Sequence, residues 1–404
     1  MDDLLFLTHR IPYPPRKGDK IRSYHLLRFL SQRYRVHLGT FVDDAADCQH
    51  AQTVAQWCLG ETKLIWISPL LARLRALRGL LTGASLTFPY YDHPEMGLWV
   101  ATILKQYPIR RIVVYSAAPA QFVLNGIDPS IRRVIDFVDV DSLKWLQYAE
   151  RRTGLPRWLF KREARTLLTQ EKIVAAAFDA ALFVSAPEAE LFKTLAPEVA
   201  DKTDYWENGV DGDFFSPDHT FLNPYAADDL SLVFTGAMDY WPNVDAVTWF
   251  AREVFPHIKT QVPKARFVIV GGRPTREVQR LQSVPGITVT GTVPDVRPWI
   301  GWARAAVAPL RIAQGVQNKV LEAMAMARPV LATPKAMEGI RQDPQMNRWV
   351  AESPEILAKM GIDLLQGADE DGSGIACGPL GRQLVLSRYN WSINLERAAV
   401  IVAG

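Results

Sequence analysis

A chain of 404 residues with 48% hydrophobic content, 22% charged residues and a net charge of +3 is a globular protein too long for one ordinary core, which predicts two domains. The charge is too small for an electrostatic footprint on nucleic acid, and no run approaches the roughly 20 apolar residues of a membrane-spanning helix. The acidic start at Met1-Asp2-Asp3 leads straight into a strand-like segment, so no signal peptide is expected, and Cys48, Cys58 and Cys377 have no metal or redox spacing and read as reduced thiols of a cytoplasmic protein.

In chain order, residues 2–8 predict a first strand, followed by a Pro-rich loop, a helix over about 19–32 and a second strand over 34–41. Residues 110–117, 132–138 and 179–185 are further short runs rich in β-branched residues between helical patterns. Continuous apolar strands alternating with helices predict a parallel sheet covered on both faces. Residues 207–229, rich in Gly, Pro, Asp and Asn, read as a linker. Beyond it the grammar repeats, with strands over 231–237, 265–272, 286–292, 305–310 and 329–333, several ending in Gly or another small residue where a parallel sheet places its ligand crevice. A last helix is expected over 388–402. The expected architecture is α/β: two Rossmann-like, doubly wound parallel-sheet domains, 1–215 and 216–384, facing across a cleft, with 385–404 packing back on the first.

The run 314–333, QGVQNKVLEAMAMARPVLAT, carries the most chemical information. A helix starting near Val316 would bury Val316, Val320, Ala323, Met324 and Ala327 and turn Asn318, Lys319 and Glu322 the other way. Glu322 is the only charge between Val320 and Ala327, and a carboxylate on a largely covered helix needs partners, which ribose hydroxyls would supply. Gly315 permits close backbone approach, the N–H groups of Val316 to Lys319 could meet a diphosphate, and Lys319 adds a positive charge. Such a site suits transfer of a group whose leaving partner is a diphosphate.

In the context LEAMA-x-x-RPV this run resembles the donor site of GT-B glycosyltransferases of the family-4 type (glycosyl transferases group 1), written G-x-x-x-K-x-x-E-A-x-A-x-G-x-P-V. The similarity extends to 231–247, 267–272, Glu207-Asn-Gly-Val-Asp211 and the opening PYPPRKGDKIRSYHLL at 12–27, and so spans nearly the whole chain. The opening block, DFVDVDSLKW at 136–145 and GVQNKVLEAMA look most like the subgroup tied to exosortase/PEP-CTERM exopolysaccharide systems. The resemblance implies a metal-independent, hexosyltransferase-type enzyme without a cofactor. It would move a sugar from a nucleotide-diphosphate donor to a lipid-linked or glycan acceptor in cell-surface polysaccharide synthesis. Three departures stand out. The family's first donor glutamate falls at Gln314, and its Arg/Lys pair after the first strand of the second domain is replaced by Gly236-Ala-Met-Asp-Tyr-Trp-Pro-Asn243. Arg328 stands in place of the usual Gly before Pro329.

Further candidates follow from position. Gly236 and Asn243 join the donor set, with Tyr240 or Trp241 able to stack on a base. Asp139 and Asp141 follow the strand 132–138 on one face, where a general base for an acceptor hydroxyl would sit; the rival reading is a helix N-cap by Asp141 or Ser142. His9 is a candidate acid/base at the end of the first strand. Lys17, Gly18, Asp19, Lys20 and Arg22 could cradle an acceptor phosphate, or form a Pro-rich turn with ordinary solvated lysines. The basic, apolar stretch 70–81 and the segment 144–172, with eight basic and three acidic residues, make the inner-leaflet membrane surface a further candidate partner, against packing of the leucines on the domain. Two other functions share this architecture: a sugar-nucleotide epimerase, and a catalytically reduced glycosyltransferase-like partner protein. The first strand is followed by no G-x-G-x-x-G, which disfavours a nicotinamide enzyme.

Overall fold

Consecutive buried apolar residues make the central strands, and among the described residues every named strand pairs in parallel. The computed structural model describes residues 1–15, 18–150, 152–313, 315–340, 347–367 and 373–404. The chain forms two compact units: Met1–Glu207 with Asn394–Gly404, and Asn208–Ile393. Among the described residues no helix is long and apolar enough to cross a membrane.

The first unit contains β1 (Asp3–Thr8), β2 (Arg35–Val42), β3 (Leu59–Trp66), β4 (Arg111–Tyr115), β5 (Arg132–Val138), β6 (Ala180–Phe183) and β7 (Thr203–Tyr205). They lie in the order β3-β2-β1-β4-β5-β6-β7. Every residue of β1 is buried, as is almost all of β2, as expected for central parallel strands covered on both faces. Two strands were not expected from the sequence. β3 is an edge strand that is mostly exposed or half-buried, so LGETKLIW lacks the continuous apolar run of its neighbours. β7 has only three residues.

The helix Gly18–Ser31 follows β1 and buries a charged face. Arg22 is fully enclosed: its guanidinium donates to Asp136 on β5 at 2.9 and 3.2 Å and to the carbonyls of Trp206 and Phe183. The guanidinium also lies 3.4 Å from the centroid of the Trp206 ring, whose indole N–H donates to Asp136 at 3.0 Å. Burial pushes the Asp136 carboxyl up, and these donors draw it back down. The group ties β1's following helix, β5 and the last residues of the unit's first segment into one hydrogen-bonded core. Residues 394–404 rejoin this unit: Arg132 donates to the Ile401 carbonyl at 2.9 and 3.0 Å, and Arg397 pairs with Asp204 at 2.7 Å.

The second unit holds β8 (Leu230–Thr235), β9 (Ala265–Val270), β10 (Ile287–Gly291), β11 (Ala305–Ala308) and β12 (Val330–Ala332), in the order β10-β9-β8-β11-β12. Strand order reverses beside β8, whose next strands in sequence run outward on one side before the chain crosses to β11 on the other. In such a sheet the crevice for a ligand opens at the carboxyl ends of the two strands flanking the reversal.

Candidate active site

At the carboxyl end of β8 the chain turns at Gly236, whose φ of 156° is open to glycine alone. Its N–H donates to the Val270 carbonyl at 3.0 Å. A Cβ on Gly271, just past β9, would lie 1.7 Å from the Gly236 oxygen, so two side-chain-free backbones pass each other here. A Cβ on Gly236 itself would come 2.7 Å from the Asn243 amide nitrogen. Asn243 is buried in the first turn of the helix Trp241–Trp249. Its amide N–H donates to the Ala237 carbonyl at 2.9 Å, and its oxygen accepts from the Lys319 ammonium at 2.5 Å.

Lys319 belongs to the helix Asn318–Ala325 and also sits 4.4 Å from the centre of the Phe234 ring on β8. The expected outward face is thus partly turned in, seating the ammonium against β8 and Asn243. Desolvation lowers its pKa to about 7, with Glu322 one turn along opposing the shift. Desolvation likewise raises Glu322 to about 7, with Lys319 pulling it back. A base and an acid are therefore poised near neutrality within one helical turn, and an incoming anion or hydroxyl pair would shift both.

The helix begins at Asn318, two residues later than expected. Gly315 is left-handed at φ 62° and Gln317 is extended, so 315–317 forms a turn that cannot join the helix. Val316 is buried nonetheless, and Asn318 accepts from Asn208 at 3.2 Å. Gln314 lies outside the described residues. At the other end, the N–H of Arg328 bonds the Ala323 carbonyl and the N–H of Ala327 bonds the Met324 carbonyl, each at 2.9 Å. This is a Schellman stop. Its left-handed residue is Ala327, at φ 52°. The position that calls for glycine is therefore Ala327, and the departure placed at Arg328 moves back by one residue.

Two links missed in the sequence brace this end of the sheet. Arg311, after β11, grips the Asp245 carboxylate at 2.5 and 3.0 Å, and Thr333, after β12, donates to the Leu310 carbonyl at 2.5 Å while capping the next helix. Pairs so distant in sequence leave no periodic signal. Tyr240 is exposed beside this site.

In the first unit, His9 follows β1 and its ring stacks on Tyr115 (5.8 Å, 12°), with Tyr91 edge-on at 6.0 Å. Two non-glycine residues with left-handed backbone close the neighbouring strands: Ser116 after β4 (φ 71°) and Val138 at the end of β5 (φ 73°). Asp139 and Asp141 both pair with Lys144, at 2.7 and 2.8 Å, but β5 ends at the left-handed Val138 and Asp141 opens a helix, so strand alternation is not what brings them together. Asp141 is the first residue of the helix Asp141–Glu150, whose start is capped from outside: the buried Glu171 accepts from the Ser142 N–H at 3.1 Å and its hydroxyl at 2.6 Å. Burial raises Glu171 to about 8, and the Asp141 charge adds to the rise.

The expected phosphate cradle is largely consumed by the fold. Arg22 is spent on Asp136, and the buried Lys20 ammonium is held by Asp47 at 2.5 Å. Both residues lie on the face that the helix turns to the core, where a buried charge must find a partner. Gly18 is exposed at the helix start. Lys17 and the Asp19 side chain lie outside the described residues. Among the described residues no group of three or more His, Cys, Asp and Glu is placed to hold a metal ion.

The stretch bearing Gly236, Asn243, Lys319 and Glu322 has known relatives. Residues 229–367 match the family profile of the glycosyl transferases group 1. Solved structures extend the likeness to the whole chain. HepE of Anabaena in complex with UDP superimposes with a TM-score of 0.65 at 12% identity, covering 100% of both chains. Sucrose-phosphate synthase from Thermosynechococcus elongatus gives 0.71 at 16%, covering 99% of this chain and 98% of that one. WaaG, a glycosyltransferase involved in lipopolysaccharide biosynthesis, gives 0.67 at 15%, covering 99% and 100%. The chain therefore has the GT-B fold. Among curated protein sequences none matches it.

Proposed function

We propose that the protein is a group 1 glycosyltransferase that moves a hexose from a nucleotide-diphosphate donor to a lipid-linked or glycan acceptor in exopolysaccharide synthesis. The observation that carries this reading is the convergence of Gly236, Asn243, Lys319 and Glu322 at the strand-order reversal, inside the segment matched by the group 1 profile. Glu322 would accept from ribose hydroxyls. Lys319, held near its neutral point by desolvation, would take a proton as the diphosphate arrives and so stabilise the leaving charge without a metal ion. The glycine pair at 236 and 271 would let the diphosphate approach the backbone. Structures of HepE with UDP and with UDP-glucose support a uridine donor as the first to test.

On the acceptor side, Asp139 would take the proton of the attacking hydroxyl, with Lys144 fixing its position and Asp141 sharing the same ammonium. His9, between two tyrosine rings, is the second candidate to handle that proton. Isothermal titration with UDP, GDP and their sugars tests the donor half. Binding by the wild type, weakened at least tenfold by Glu322→Gln and by Lys319→Met, is expected. Absence of nucleotide binding would sink the proposal, and an isomerised sugar released without acceptor would replace it with an epimerase.

A further inference from the structure

The helices Pro69–Ala76 and Arg78–Thr82 in the first unit are packed inside out. Ala72, Ala76 and Gly79 are buried, whereas Leu70, Leu71, Leu74, Leu77 and Leu81 are each more than half exposed. A surface helix normally turns its large apolar side chains to the core. Here the small residues let the backbone sit close to its support: a Cβ on Gly79 would lie 2.5 Å from the Ser85 carbonyl oxygen. The leucines are consequently left facing outward by the packing itself.

A second apolar segment is tied alongside. Arg162, on the helix Gly154–Ala177, donates to the carbonyls of Gly79 and Ala84 at 2.5 and 2.9 Å, and Glu163 accepts from the N–H groups of Leu86 and Thr87 at 2.7 and 3.1 Å. One turn before Arg162 on that helix is Trp158, more than half exposed, and Leu155 just ahead of it is more exposed still. The charge carried by residues 62–91 themselves is of one sign, although Lys63 is paired with Glu95 at 2.9 Å. Between Glu61 and Asp92 the sequence has no acidic residue, but it has Lys63, Arg73, Arg75 and Arg78. Arg75 spends its guanidinium on the carbonyls of Asp92 and Tyr90, while Arg73 and Arg78 lie exposed among the leucines.

We propose that this surface docks on an anionic lipid bilayer, with the leucines and Trp158 entering the acyl boundary and Arg73 and Arg78 at headgroup depth. Large apolar side chains interleaved with unpaired arginines are matched by a surface that is apolar below and negative above. A second copy of the chain fits poorly, because a twofold contact sets the patch against itself and would bring arginine to arginine with no acid between them. The inference does not rest on glycosyl transfer, and its failure would leave that reading intact.

Vesicle flotation of the full chain tests it, using phosphatidylcholine with and without phosphatidylglycerol. The wild type is expected to float with the anionic vesicles only, and less as salt rises. Leu74→Asp with Leu77→Asp should abolish flotation. Arg73→Glu with Arg78→Glu should lower the partition coefficient about 25-fold or more, at about fivefold for each arginine lost. Leu81→Asp, at the most exposed of these leucines, is the second variant should the double one lose its unfolding transition, and Leu222→Asp in the other unit should change nothing. No flotation of the wild type, or undiminished flotation of both leucine variants, overturns the proposal. So does a dimer in sedimentation that Leu81→Asp dissolves, since the surface would then be a contact between copies.

Discussion

Replacing Ala327 with glycine should stabilise the second unit. Ala327 is the left-handed residue of the Schellman stop that ends the helix bearing Lys319 and Glu322. Its Cβ is crowded against the following carbonyl in that conformation, at a cost of roughly 1–2 kcal/mol. Glycine removes the clash but gives back about 0.5–1 kcal/mol through the greater freedom of the unfolded chain. The balance favours Ala327→Gly by about 1 kcal/mol, or roughly 2–4 °C for a unit of this size. Ala327→Val should act in the opposite direction, since a β-branched residue is a worse fit to positive φ. Scanning calorimetry that resolves the two units would measure both, and nucleotide affinity should be unchanged because no contact of Lys319 or Glu322 is touched. A midpoint that is unmoved or lowered in Ala327→Gly would refute the reasoning.

Gly236→Ala should cost about 2.5–6 kcal/mol, combining about 1–3 for the glycine-only backbone with about 1.5–3 for pushing aside the Asn243 amide, which holds the Ala237 carbonyl and the Lys319 ammonium; denaturant unfolding and UDP titration should both register it, and wild-type values in both would remove Gly236 from the site. Lys319, lowered from 10.5 to about 7, leaves the extra proton on the unfolded chain between those values, so its contribution to stability rises with pH there. Glu322, raised from 4.5 to about 7, puts the extra proton on the folded chain, so its contribution falls as pH climbs to about 7. Together they set a dip near neutrality, on the order of 3–5 kcal/mol, that Lys319→Met with Glu322→Gln should flatten; an unchanged pH–stability profile in the double variant would count against the pair. Arg22→Met should cost about 3–5 kcal/mol by stranding the Asp136 carboxylate, and a loss below 1 kcal/mol in urea unfolding would show the pair to be dispensable. Asp139→Asn should cut kcat at least a hundredfold with KM for the donor nearly unchanged, and full turnover would exclude it as the base.

How far the sequence could be read depended on the range of the interaction. β1, β5 and four strands of the second unit, β8, β9, β11 and β12, are apolar runs whose own composition announces them, while β10 was legible from its β-branched Ile287, Thr288, Val289 and Thr290. β3 escaped because an edge strand needs only a few inward residues, and Ile65 is its single buried position. In the donor segment, Lys319 and Glu322 were legible from helical spacing and from the resemblance. The direction of Lys319 was not, since it is decided by Asn243 and Phe234 on other elements. Lys20 and Arg22 read as part of a phosphate cradle around Gly18, and only the register of the helix against β5 shows that Asp136 lies beneath one of them. The leucines of 70–81 left two readings open because Ala72, Ala76 and Gly79 share their periodicity, and packing alone decides which set goes in.

The return of residues 394–404 to the first unit also orders events during synthesis. The carbonyl that Arg132 binds at Ile401 emerges only after all of Asn208–Ile393 has been made. At a ribosomal pace of roughly 5–20 residues per second, the second unit occupies about 10–40 s of that wait. The inserted unit, continuous in sequence, can close on itself first, while the unit translated first is the last to acquire its final piece.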